Sequence, residues 1–152
     1  MTLGEITRYL HDHIPLTLHL GAVVEAYDGT SVRIAAPLAP NLNHRSTAFG
    51  GSLSALGILA GWTLLHLNLR ERGIEARLVI QRSEFDFEEP VHGDFVATST
   101  LPEPTDWQRF LATLQRRRRA RVSVRGEIQS ATGTGGTYEG VYVAIRLGAG
   151  GG

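Results

Sequence analysis

The chain contains no cysteine. Disulfides, thiolate nucleophiles and cysteine-held metals are therefore excluded. It also lacks an excess of either charge, since 15 basic residues balance 15 acidic ones. That balance argues against a nucleic-acid binder held by overall basicity. The first residues, MTLGEITRYLHDH, lack the basic start and apolar core of a secretory signal. A cytoplasmic protein is the expectation. Six histidines (11, 13, 19, 44, 66 and 92) are scattered and have no cysteine beside them. No metal site is expected from them.

One further absence carries more weight. Between Arg45 and Arg70 there is no Asp, Glu, Lys or Arg. This stretch opens on Gly50-Gly51 and then runs apolar. A glycine pair at a helix start leaves backbone N–H groups bare and aims the positive end of the helix dipole outward. An apolar helix of this kind must be sheathed on nearly every side. It is long enough to span a bilayer, and Gly57-xxx-Gly61 matches a membrane packing motif. Ser52, Ser54, Thr63, His66 and Asn68, with strand-like sequence on both sides, favour the core helix of a globular fold instead; no membrane span is expected.

Around this helix the pattern changes period. Leu3, Ile6 and Leu10 predict a short helix over 3–13, ended by Pro15. Residues 18–26 and 31–36 read as strands flanking the turn Tyr27-Asp28-Gly29-Thr30. Residues 37–49 form a loop, and 51–70 the central helix, with Gly73 as its C-cap. Residues 77–87 predict a strand with Leu78, Ile80, Arg82, Glu84 and Asp86 on one face and Val79, Gln81, Ser83, Phe85 and Phe87 on the other. Another strand follows at 93–100. Trp107, Phe110, Leu111 and Leu114 mark an amphipathic helix, with Thr105 as its cap. Strands at 120–129 and 138–147 flank a turn at 133–136. His66 is expected to be hydrogen-bonded in or near the core.

The sum is an α+β fold with the sheet curled around one long helix. One domain is expected over 1–147, followed by a flexible Gly-rich tail at 148–152.

This order, with Asn43-xx-Ser46-xx-Phe49-Gly50-Gly51, resembles the hotdog fold of acyl-CoA thioesterases. The nearest resemblance is to the YiiD C-terminal thioesterase-like family. It rests on NHRSTAFGGSLSALGILAGW, SEFDFEEPVHGDF and DWQRFLATLQRRRRARV. The resemblance implies an antiparallel sheet around the central helix and a homodimer or a homotetramer built as a dimer of dimers. It also implies an acyl thioester substrate, of coenzyme A or an acyl carrier protein, with no separate cofactor. In the related pattern Asn-xx-Gly-xx-His-Gly-Gly, the Asn helps place the reacting groups and the first paired Gly donates its N–H to the thioester oxygen. Those roles fall on Asn43 and Gly50, with Gly51 beside it. Ser46 replaces a Gly and Phe49 replaces the His. The pattern's acidic helix position falls on Ile58, so a base must come from elsewhere.

Hydrolysis needs a polarised carbonyl and an activated water. The catalytic candidates are thus Asn43, His44, Gly50, Gly51, Glu84 and Asp86, with His44, Glu84 or Asp86 as the base. Arg116, Arg117, Arg118 and Arg119, then Arg121, suit either a solvated helix end or a clamp for the phosphates of coenzyme A. Two other functions fit the same residues. One is a non-catalytic thioester-binding module, favoured by Ile58. The other is a hotdog dehydratase or hydratase with a His and a carboxylate facing each other across a dimer.

Overall fold

Six antiparallel strands in the order β1-β2-β4-β5-β6-β3 form one sheet that wraps a 22-residue helix, a hotdog fold. The computed structural model describes residues 1–148. The expectation for the tail at 149–152 lies outside the described residues, while Gly148 lies against the Arg118 guanidinium. Helices α1 (Leu3–His13) and α2 (Pro15–Leu20) lead into β1 (Val23–Tyr27) and β2 (Ser31–Ala36). A 3₁₀ turn (Ala39–Asn41) precedes α3 (Gly50–Glu71). Then come β3 (Ala76–Phe87), β4 (Phe95–Thr100), α4 (Pro104–Arg117), β5 (Arg119–Ser130) and β6 (Gly133–Arg146).

Several boundaries depart from the sequence reading. The first helix spans 3–13 and stops before Pro15, as expected, but the strand expected from residue 18 does not follow. Pro15 takes the first turn of a second helix, α2, where its missing N–H is not needed. Gly21, at φ 75°, closes α2 and delays the strand to Val23. Glu103 rather than Thr105 caps α4, with Pro104 in the first turn. The glycines at 133–136 were read as a turn but lie within β6. Two of them are needed for close approach: a Cβ on Gly136 would stand 2.3 Å from the Phe85 ring, and one on Gly135 would stand 2.5 Å from Val91. Gly73 behaves as expected. It sits at φ 68° just past the cap, with the Gly73 and Ile74 N–H groups donating back to Arg70 and Leu69.

The greatest departure is in β3. Ile80 opposes Tyr142 and Arg82 opposes Val141, so Gln81 is an extra, bulged residue. The bulge shifts the alternation by one. Leu78 and Ile80 face the helix, but beyond the bulge Ser83, Phe85 and Phe87 do so. Arg82, Glu84 and Asp86 turn to the outer face with Val79.

The apolar helix is buried as its composition requires. Leu56, Ala60, Leu64 and Leu65 are fully inaccessible. It is long and apolar enough to cross a membrane by composition, yet 67% of its most apolar window is covered by the rest of the fold. The Gly57-xxx-Gly61 stripe receives rings from β6. An added Cβ at Gly57 would fall 2.9 Å from the Tyr138 ring, and one at Gly61 2.5 Å from the Tyr142 hydroxyl. Tyr142 donates its hydroxyl to the Ile58 carbonyl at 2.6 Å, and the Tyr138 hydroxyl meets Ser99 at 2.6 Å.

His66 departs from expectation too. Its Nε2 is buried without a hydrogen-bond partner. The ring is stacked between Trp62, at 4.6 Å, and Tyr9, at 5.1 Å, and Tyr9 stacks in turn on His13. Burial, with the Arg70 charge and His13 nearby, pushes its pKa below the ordinary histidine value. The stack fastens α1 to α3.

Gly61→Ala should destabilise the fold by about 1–3 kcal/mol, because the inaccessible Tyr142 ring has no room to retreat. Gly93→Ala is the control, since nothing lies within 4 Å of its added Cβ. Urea denaturation checks both.

Candidate active site

Asn43 builds the loop that delivers the chain to α3. Its Oδ1 accepts the N–H groups of Arg45 at 2.8 Å and Thr47 at 3.1 Å. Its Nδ2 donates to the Thr47 hydroxyl at 2.8 Å and the Ala48 carbonyl at 3.4 Å. Both ends of the side-chain amide are thus spent inside the loop. Asn43 shapes the turn rather than presenting a free donor to a ligand. Ser46 takes φ 62°, the left-handed region. This is the position where the related pattern carries glycine, the residue that enters that region without strain.

The loop then docks. Ala48 donates to the Val91 carbonyl at 2.9 Å, and Phe49 to the Asn41 carbonyl at 2.7 Å. Asn41 is itself buried, with its amide donating to Leu20 and Pro37 carbonyls. These anchors fix the start of α3. Ser52 and Leu53 donate back to the Phe49 carbonyl, and no side chain caps the helix. Among the described residues, the Gly50 and Gly51 N–H groups have no acceptor. They are open donors at the positive end of a helix about 33 Å long.

Two phenylalanine rings flank these donors. The Phe87 ring lies where a Gly50 Cβ would be 3.1 Å away, and the Phe49 ring where a Gly51 Cβ would be 2.3 Å away. Both rings are more than half exposed. The donors therefore sit in an apolar lip open to solvent. The sequence offered Phe49 only as a replacement for histidine, and it placed Phe87 without a role. The missed signal was the bulge, which no period-two reading reveals.

Further along the helix, an apolar groove of about 460 Å³ runs between Ala55, Ile58, Leu59 and Trp62 of α3, Leu78, Val79 and Ile80 of β3, and Ile14, Leu16, Thr17 and Leu20 at α2. Ala55 and Trp62 lie about 10 Å apart along the axis. Ile58, at the pattern's acidic position, is thus part of a continuous apolar wall.

The remaining sequence candidates are spread out. His44 is exposed at the tip of the Asn43 loop. Glu84 and Asp86 do not join the glycine pair within one chain. They alternate with Phe85 and Phe87, whose rings point to the helix side, so the carboxylates point outward. Glu84 pairs there with Arg82. Within one chain the bulge and this alternation turn both carboxylates away from the helix start.

Arg116 and Arg117 close α4, Arg118 takes a left-handed C-cap at φ 63°, and Arg119 opens β5. Arg118 shares a cleft with Arg72, Gly73, Gln115 and Arg146. That cleft adjoins the C-terminal end of α3, the opposite end from Gly50. One chain alone does not unite the arginine run with the glycine pair.

Ser46→Gly should leave stability within about 0.5 kcal/mol of wild type, because relief of the left-handed strain is offset by glycine chain entropy. Ser46→Val should lower it by about 1–2 kcal/mol. Thermal unfolding of both variants checks the loop assignment.

Comparison with solved structures places the chain among proteins of the same architecture. A protein of unknown function from Chlorobaculum tepidum matches with a TM-score of 0.88 at 27% identity, over 95% of this chain and 94% of that one. A Shewanella oneidensis protein described as "putative thioesterase" matches with a TM-score of 0.84 at 23% identity, over 94% and 96%. A thioesterase from Haemophilus influenzae matches with a TM-score of 0.78 at 15% identity, over 100% and 96%. The family model "Putative thioesterase (yiiD_Cterm)" matches residues 3–146. With that match spanning the whole wrapped-helix unit, including the glycine pair and the loop that presents it, the chain belongs to the YiiD C-terminal thioesterase-like family.

Proposed function

We propose that the protein hydrolyses acyl thioesters, of coenzyme A or of an acyl carrier protein. The observation that carries this reading is the pair of open N–H donors of Gly50 and Gly51, held at the start of an apolar helix between two phenylalanine rings. As water attacks the thioester, charge develops on the carbonyl oxygen. Donors fixed beforehand stabilise that charge without reorganising. The groove along Ala55, Ile58 and Trp62 takes the acyl chain. Asn43 acts by holding the loop, and His44 activates the water, being the imidazole that the loop carries.

The active unit in this reading is a homodimer. β3 is an open edge strand, a pairing hazard unless it is covered. Antiparallel pairing of two copies through β3 sets the Ala76 end of one beside the Phe87 end of the other. That arrangement carries each arginine-rich end toward the neighbour's helix start, where Arg116, Arg117, Arg118 and Arg119 clamp the phosphates of coenzyme A. It also keeps each outer face outer, so Glu84 and Asp86 take no part in the chemistry. Light scattering should give at least twice the chain mass at micromolar concentration. A stable monomer would remove the dimeric site.

A non-catalytic thioester-binding module is the second reading. It is favoured by Ile58 and by the outward turn of both carboxylates. Turnover of a thioester panel, followed with a thiol-detecting reagent, separates the two. The decisive variant is Gly50→Pro, which deletes one donor. Proline is tolerated in the first helical turn, and Phe49 at φ −65°, ψ 132° already has the conformation favoured before it. Hydrolysis should fall about a hundredfold, on the order of 3 kcal/mol. A dimer with native circular dichroism and wild-type turnover would sink the proposal.

A further inference from the structure

One face of α3 carries more than the groove. Gly51, Ala55, Ile58, Leu59, Trp62 and His66 follow the three- and four-residue spacing that aligns side chains along a helix. The apolar groove occupies the middle of this face and reaches Trp62. Beyond Trp62 the same face opens into a second cavity of about 500 Å³, bordered by His66, Leu69, Ile74 and Leu147. Arg70 and Glu75 also border that cavity, whereas no charged residue lines the groove. Leu78 of β3 borders both spaces. Trp62 reaches across to it, with the indole N–H donating to the Leu78 carbonyl at 2.9 Å. The side chain is therefore a bar from helix to strand between two cavities in line.

We infer that Trp62 is the stop that sets the longest acyl chain the groove accepts, which makes the substrates medium-chain thioesters. The bar is a fixed one. His66 stacks on the Trp62 ring at 4.6 Å, and Tyr9 stacks on His66 at 5.1 Å. A ring tied at its edge and backed on its face cannot swing aside without losing both contacts. The ruler rests on the reading above that the thioester carbonyl lies at Gly50 and Gly51.

From Gly51 to Trp62 is about 16 Å along the helix axis. Contact with the indole ring takes about 4 Å of that length. Carbon–carbon bonds of about 1.5 Å in a zigzag advance about 1.2 Å each, so about ten carbons fill the rest. Each methylene buried short of the stop tightens binding about fourfold. Past the stop a longer chain turns out into water, and the gain per carbon ceases.

The test is a chain-length profile. Non-hydrolysable thioether analogues of acyl-CoA, from acetyl to palmitoyl, give binding by calorimetry, and the matching thioesters give kcat/KM. For wild type both should rise with length and level off at about ten carbons. A rise that continues to palmitoyl overturns the inference. Trp62→Ala joins the two cavities and should move the break up by about four to eight carbons. Trp62→Leu keeps an apolar side chain in the same seat and should move it the same way by less, which covers an alanine variant that fails to fold. Ala55→Phe leaves the Trp62 bond and stack intact and should bring the break down to about four carbons. An unmoved break in the folded Trp62 variants, or in Ala55→Phe, overturns the inference. A clear break in binding without turnover keeps the ruler and rejects hydrolysis, whereas turnover without a break keeps hydrolysis and rejects the ruler. No binding at any length overturns both.

Discussion

A helix with no charge from its first residue to its last turn has to be covered on every side, and the rest of the molecule is arranged to cover it. Twelve of the α3 residues are buried. β6 brings two tyrosine rings onto glycines 57 and 61, so strand and helix approach more closely than side chains would permit. Each tyrosine hydroxyl then finds an acceptor or donor, Ile58 for one and Ser99 for the other. Burial pushes both phenols well above the ordinary tyrosine range, so they remain neutral partners. The small-residue stripe that resembles a membrane motif is thus a seat for aromatic rings.

The same burial gives the helix start its character. The far end of α3 is neatly closed by Gly73, whereas the near end is left uncapped. Its first donors face neither side chain nor backbone. Strong anchoring around it, from Asn41, Asn43 and the Ala48 contact with Val91, keeps those donors in place. Rigidity is thus concentrated in the approach to the site. In the proposed reading the chemistry falls to an exposed group, His44, at the tip of that approach.

What the sequence made legible follows from how local each signal is. The long helix, the Asp-Gly turn, the amphipathic spacing of Trp107 to Leu114 and the alternation of β5 are all set by near neighbours, and each was readable. The Asn43 turn and the helix start at the glycine pair were readable as structure because loop and helix-start geometry is local too. Pro15 was half legible, because proline both ends helices, as it does α1, and begins them, as it does α2. His66 misled because a polar ring in an apolar helix suggested a hydrogen bond, whereas its neighbours offer flat aromatic faces. The glycines at 133–136 read as a turn because the side chains that Gly135 and Gly136 accommodate, Val91 and Phe85, come from elsewhere in the chain. The faces of β3 were unreadable past Ile80, since a bulge leaves no mark on composition.

That bulge has a consequence for how such a site changes over evolutionary time. Strand side chains obey a strict two-residue phase, and Gln81 breaks it once, between the groove wall and the aromatic lip. Substitutions on either side act independently, because neither half dictates which way the other points. A one-residue deletion at Gln81 would be a different event. It would restore a single phase and compel either Leu78 and Ile80 or Phe85 and Phe87 to leave the helix side. The lip and the groove are therefore compatible only through a count of residues, and insertions or deletions in this strand offer a direct route to losing one of them while keeping every side chain.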